Sequence, residues 1–108
     1  MNEQERKEIA MVIIKQLSPM GMGGLVAMVG ANLFCVIDEG VAGIRFRFKG
    51  CRKYNMVKIV LTAEDLYDMT FAQINRKGDY KEGETMEGLY CDMLQGVFES
   101  ETGLYLAL

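Results

Sequence analysis

The apolar positions change period several times along the chain, and each change marks an element. From Glu3 to Leu17, Ile9, Val12, Ile13 and Leu17 recur at helical spacing behind an acidic start, which predicts an amphipathic helix. Pro19 and Gly21 end it. Gly24–Gly30 has room for two turns of a buried helix, and Asn32–Ile37 reads as a short apolar strand. "DEGVAG", Asp38 to Gly43, is rich in turn residues.

"IRFRFK", Ile44 to Lys49, alternates strictly. Ile44, Phe46 and Phe48 fall on one face, and Arg45, Arg47 and Lys49 on the other, which predicts a strand with one buried side. "MVKIVLT", Met56 to Thr62, is a β-rich run. "LYDMTFAQI", Leu66 to Ile74, reads as a fourth strand, although its mixed pattern also admits a helix.

"NRKGDYKEGE", Asn75 to Glu84, is the most polar stretch and is expected to be a loop. From Met86, apolar residues fall at 86, 89, 90, 93, 94, 97 and 98. That three-four repeat predicts an amphipathic helix, with Gly103 as its C-cap glycine. The tail "LYLAL" is apolar and is expected to pack back on the body. The expected fold is therefore α+β: a four-stranded antiparallel meander sheet flanked by an N-terminal and a C-terminal amphipathic helix. One domain spanning residues 1–108 accommodates all of it.

Composition narrows the chemistry. The chain contains no histidine, which removes Ser-His-Asp and Cys-His nucleophiles and every zinc site that needs imidazole. Cys35, Cys51 and Cys91 are far apart and odd in number, so no disulfide framework is implied. "MNEQERKEIA" is charged at the N-terminus and lacks the apolar run of a secretory signal. A reducing cytoplasm, no cofactor, no metal and no enzymatic activity are expected.

"SPMGMGGLVAMVGANLF", Ser18 to Phe34, lies inside an uncharged run from Gln16 to Ile37. Three readings compete. A dinucleotide fingerprint fails because Val26 stands where the third glycine belongs, and a P-loop fails for want of a lysine. A membrane span has the length but is broken by Pro19, glycines and Asn32. Packing is the expected role, with Gly23, Ala27 and Ala31 recurring every four residues to admit another backbone.

Charge is segregated. Residues 41–63 carry six cations and no acid, in a chain of net charge −3. Arg45, Arg47, Lys49, Arg52 and Lys53, with Tyr54 beside them, form a basic stripe that suits a phosphate backbone, a nucleotide or an acidic protein. A solvated strand face is the structural alternative. Glu64, Asp65 and Asp68 are expected to be exposed turn acids rather than a metal site. Gly88, Asp92, Gly96 and Ser100 would line one side of the last helix, as an interface in a homo-oligomer or with a partner.

Three stretches carry a resemblance: "GGLVAMVGANLF", "VKIVLTAEDLYDMTF" and "GLYCDMLQGVFESETGLYLAL". Across Gly23 to Leu108 the chain resembles a group of small bacteriophage- and prophage-encoded proteins found among short early or accessory genes. The final "YCDMLQGVFESETGLYLAL" is its most specific part. The resemblance implies a host-bacterium setting and supplies no active site. The expected function is a non-enzymatic accessory protein binding a host protein or assembly, such as a host defence. Direct nucleic-acid binding through the stripe, or sequestration of a small anionic nucleotide by an oligomer, are the alternatives.

Overall fold

A computed structural model describes residues 2–38 and 40–107. Helix α1, Glu3–Leu17, begins where Asn2 caps it, its side chain accepting from the Glu5 N–H at 2.8 Å. The Ser18–Met20 break follows, and helix α2 runs over Gly21–Val29, a turn earlier than the apolar pattern suggests. Gly30, at φ +64°, ends it in the left-handed conformation that favours glycine.

Five strands follow: β1 Asn32–Asp38, β2 Ala42–Arg47, β3 Met56–Leu61, β4 Tyr67–Ile74 and β5 Tyr80–Leu89. They pair antiparallel in sequence order, β1-β2-β3-β4-β5. The meander and the α+β class agree with the sequence expectation, and residues 67–74 are strand, not helix. Phe48 and Lys49 lie just past β2. The turn before β2 includes Glu39 and the tail includes Leu108, and both residues lie outside those described.

The count of four strands is corrected to five. β5 occupies the second half of the expected polar loop and the start of the expected last helix. It is an edge strand, so most of its residues are exposed and it shows no buried periodicity. Its backbone ladder to β4 and the Thr70–Thr85 hydroxyl contact at 3.2 Å hold it. The β4–β5 turn is built by Asn75, whose side-chain oxygen accepts from the Lys77 and Asp79 N–H groups, both at 2.9 Å.

The last helix therefore starts later than its apolar repeat implies. A short 3₁₀ segment, Cys91–Met93, leads into α3, Leu94–Thr102. Gly103 caps α3 at φ +73°, its N–H donating to the Glu99 carbonyl at 2.9 Å. The tail does fold back, with Leu106 fully buried and its N–H on Glu99 Oε2 at 2.8 Å.

The helices cover one sheet face. Ile13, Ile14 and Leu17 of α1, Leu25 of α2, and Leu94 and Phe98 of α3 meet Phe46, Val57, Ile59, Met69 and Phe71 of the sheet. An aromatic chain threads this core: Phe34, Phe46, Phe48, Phe98, Phe71 and Tyr54, with successive ring centroids 5.1–6.5 Å apart. Gly24 is buried, and a Cβ there would overlap the Met20 side chain. Gly23, by contrast, has nothing within 4 Å of a Cβ and Ala27 is exposed, so of the three positions expected to admit another backbone only Ala31 is buried. Among the described residues no single helix is long and apolar enough to cross a membrane.

Candidate anion-binding face

The strand register fixes which side chains share the uncovered face, because directly opposed residues point the same way. One row crosses the whole sheet: Cys35, Arg45, Lys58, Thr70 and Thr85. The next row holds Asn32, Arg47, Met56, Ala72 and Glu82. Arg45 and Arg47 thus project from β2 on the side away from the helices, with Lys58 directly across from Arg45.

Like charges facing each other across a ladder are unfavourable. A neighbouring carboxylate would relieve this. Among the described residues, however, the ion pairs are Arg6–Asp38 at 3.0 Å and Lys7–Glu3 at 3.6 Å, both at the start of α1. Arg45, Arg47 and Lys58 make no ion pair among those residues.

The rest of the expected stripe disperses. Lys49 leaves the sheet: its N–H donates to the Val29 carbonyl at 2.8 Å and its stem lies against Gly30. Arg52 is exposed in the β2–β3 loop, where its carbonyl accepts from Gln73 Nε2 at 3.2 Å. Lys53 Nζ sits 5.1 Å from the centroid of the Tyr54 ring. The Tyr54 hydroxyl holds the Lys53 ammonium above its ordinary range.

Tyr54 itself is corrected. It is 3% exposed, and its ring packs on Phe71 in the core rather than standing out in the stripe. Its ring occupies the space a Cβ on Gly83 would need. Lys53 and Tyr54 together border a separate hollow of about 270 Å³ with Gln73, Lys81, Glu82 and Glu84.

The expected interface line is broken as well. Gly88 lies in β5 at φ +68°, and Asp92 in the 3₁₀ segment, while only Gly96 and Ser100 are on α3. The Gly88 N–H donates to Asp68 Oδ1 at 3.0 Å, so one of the acids placed in a turn ties β5 to β4. Among the described residues no three carboxylates or cysteines gather as a metal set, and the three cysteines are free thiols.

Two residues that the sequence pattern did not single out complete the basic site. Leu33 and Tyr80 join Arg45, Arg47, Met56 and Ile74 around a hollow of about 370 Å³. Tyr80 was hidden in the expected loop, and its place depends on the β5 register opposite Ile74. Leu33 sits at a register shift between Asn32 and Cys35, with a left-handed φ of 53°. The Asn75 turn chemistry would have been a signal for the hairpin that delivers Tyr80. No protein-family model, no curated protein and no solved structure matches this chain.

Proposed function

We propose that the protein is a non-enzymatic binding protein that captures an anionic partner on the open face of its sheet. The observation that supports it is the Arg45–Lys58 like-charge pair, flanked by Arg47 and free of carboxylate partners among the described residues. Three cations so placed cost stability in the free chain and gain it when an anion arrives. The phage resemblance makes an acidic surface of a host protein or assembly the leading partner. A small anion is the second reading, favoured by the hollow that Arg45 and Arg47 line.

Native mass spectrometry of the protein purified from bacterial lysate tests the reading. An added mass is expected on the wild-type chain and absent from an R45E/R47E variant with an unchanged circular dichroism spectrum. An adduct that survives the charge reversal overturns the assignment of this face.

A further inference from the structure

The hollow beside Arg47 draws on every strand: Leu33 from β1, Arg45 and Arg47 from β2, Met56 from β3, Ile74 from β4 and Tyr80 from β5. In a flat sheet the two edge strands would stand about 19 Å apart, at about 4.8 Å per strand. The hollow thus reaches residues of both edge strands on the uncovered face.

Its walls divide by chemistry. Two guanidiniums from alternate residues of β2 give planar forks suited to phosphate or carboxylate. Met56 and Ala72 lie on the same face, 6% and 1% exposed, although no helix covers them. Leu33 and Ile74 extend that apolar surface to the rim. Tyr80 adds an aromatic ring. The residue is half exposed, and its partial burial holds the phenol above the ordinary value, with Glu82 adding to this and Arg45 opposing it. The ring is therefore neutral at physiological pH.

Leu33 adds an independent observation. It is 67% exposed and left-handed. A leucine there costs about 1–3 kcal/mol, and this one recovers little by burial. The register shift that strains it also brings its side chain to the hollow. Strain retained without a packing return is a feature of binding surfaces.

An occupant must carry an anionic group for the arginines and a flat or apolar body for Tyr80, Leu33, Met56 and Ile74. Inorganic phosphate lacks the body. An aliphatic acid lacks the plane that would stack on a phenol ring. A volume of about 370 Å³ falls near the small end of ligand sites, which span about 300–1,000 Å³. We propose that this hollow is a binding site for one nucleoside monophosphate, its phosphate on Arg45 and Arg47 and its base on Tyr80. The proposal rests on the anion-binding reading above and names its ligand.

Isothermal titration calorimetry of the full chain tests it, with adenosine, guanosine, cytidine and uridine monophosphates as probes. The controls are the free nucleosides, inorganic phosphate, octanoate and a ten-residue oligothymidylate. At least one monophosphate is expected to bind about tenfold or more tightly than its nucleoside and than phosphate. Y80A and R47Q should each weaken it about tenfold with unchanged circular dichroism spectra, R47Q with a melting temperature at or above wild type, while Y80F should retain it. Phosphate binding as tightly as the monophosphates, or octanoate more tightly, overturns the proposal. So does an oligothymidylate that binds more tightly with a steep salt dependence, which would mark a nucleic-acid groove. Absence of monophosphate binding, with an adduct that R45E/R47E removes, overturns the nucleotide and leaves the anionic partner standing. Loss of both removes both.

Discussion

Arg45 faces Lys58 directly across the β2–β3 ladder. Opposed like charges lower the stability of an antiparallel pair, and threonine is a good strand residue at such a site. Arg45→Thr is expected to raise stability by about 0.2–1 kcal/mol, read from urea denaturation, while weakening partner capture. A loss of stability would mean that the guanidinium is held by packing, and would count against an anion site here.

Leu33 holds a backbone conformation that glycine adopts freely. Leu33→Gly should therefore stabilise the free chain by about 1 kcal/mol, the relieved strain exceeding the added unfolded-state entropy. Thermal and urea midpoints both report it. If the variant is less stable, contacts of the leucine side chain outweigh the strain.

Gly88 and Gly96 should respond to alanine with opposite signs. Gly96 is inside α3 with nothing within 4 Å of a Cβ, so Gly96→Ala should gain up to about 1 kcal/mol in helix propensity. Gly88 is left-handed in β5, so Gly88→Ala should lose about 1 kcal/mol or more. Separate denaturation curves decide it. Equal effects would contradict the break between β5 and α3.

Tyr67 links stability to alkaline pH. Burial raises its phenol above the ordinary 10.0, Cys91 and Asp65 add to this, and Gln16 opposes it. The folded chain therefore holds the proton more tightly than the unfolded chain. Stability is fully present below about pH 10 and is lost as pH rises through the higher folded value. Melting temperatures measured across that range should fall more steeply for wild type than for Tyr67→Phe. Parallel curves would show that ionisation of Tyr67 does not drive the loss.

Legibility in the sequence followed burial. The alternation from Ile44 to Phe48 was plain because one side of β2 meets the aromatic core while Arg45 meets solvent. The bounds of α1 were readable from its acidic start and from Pro19, but its buried stripe is Ala10, Ile13, Ile14 and Leu17, with Val12 turned to solvent. β5 was not, because an edge strand with both sides largely in water needs no alternation. The misplaced helix start has a related cause. Met86 and Leu89 pack from the end of β5, and Leu94, Val97 and Phe98 from α3, so two elements shared one spacing across the break at Tyr90.

The site divided in the same way. Arg45 and Arg47 were visible as alternate residues of one strand. The partnership with Lys58, Tyr80 and Leu33 depends on register and on a bulge, which are tertiary facts. Tyr54 reads as part of the stripe because its neighbours Arg52 and Lys53 are charged, although its ring packs in the core and only borders the hollow beside Lys53.

The unbroken strand order has a consequence for how the chain reaches this state. Every strand pairs with its immediate predecessor, so each loop to be closed is short and no segment must wait for a distant one. The ladder can grow from the N-terminal hairpin outward as the chain leaves the ribosome. β5 arrives last, and until it does β4 presents an open edge.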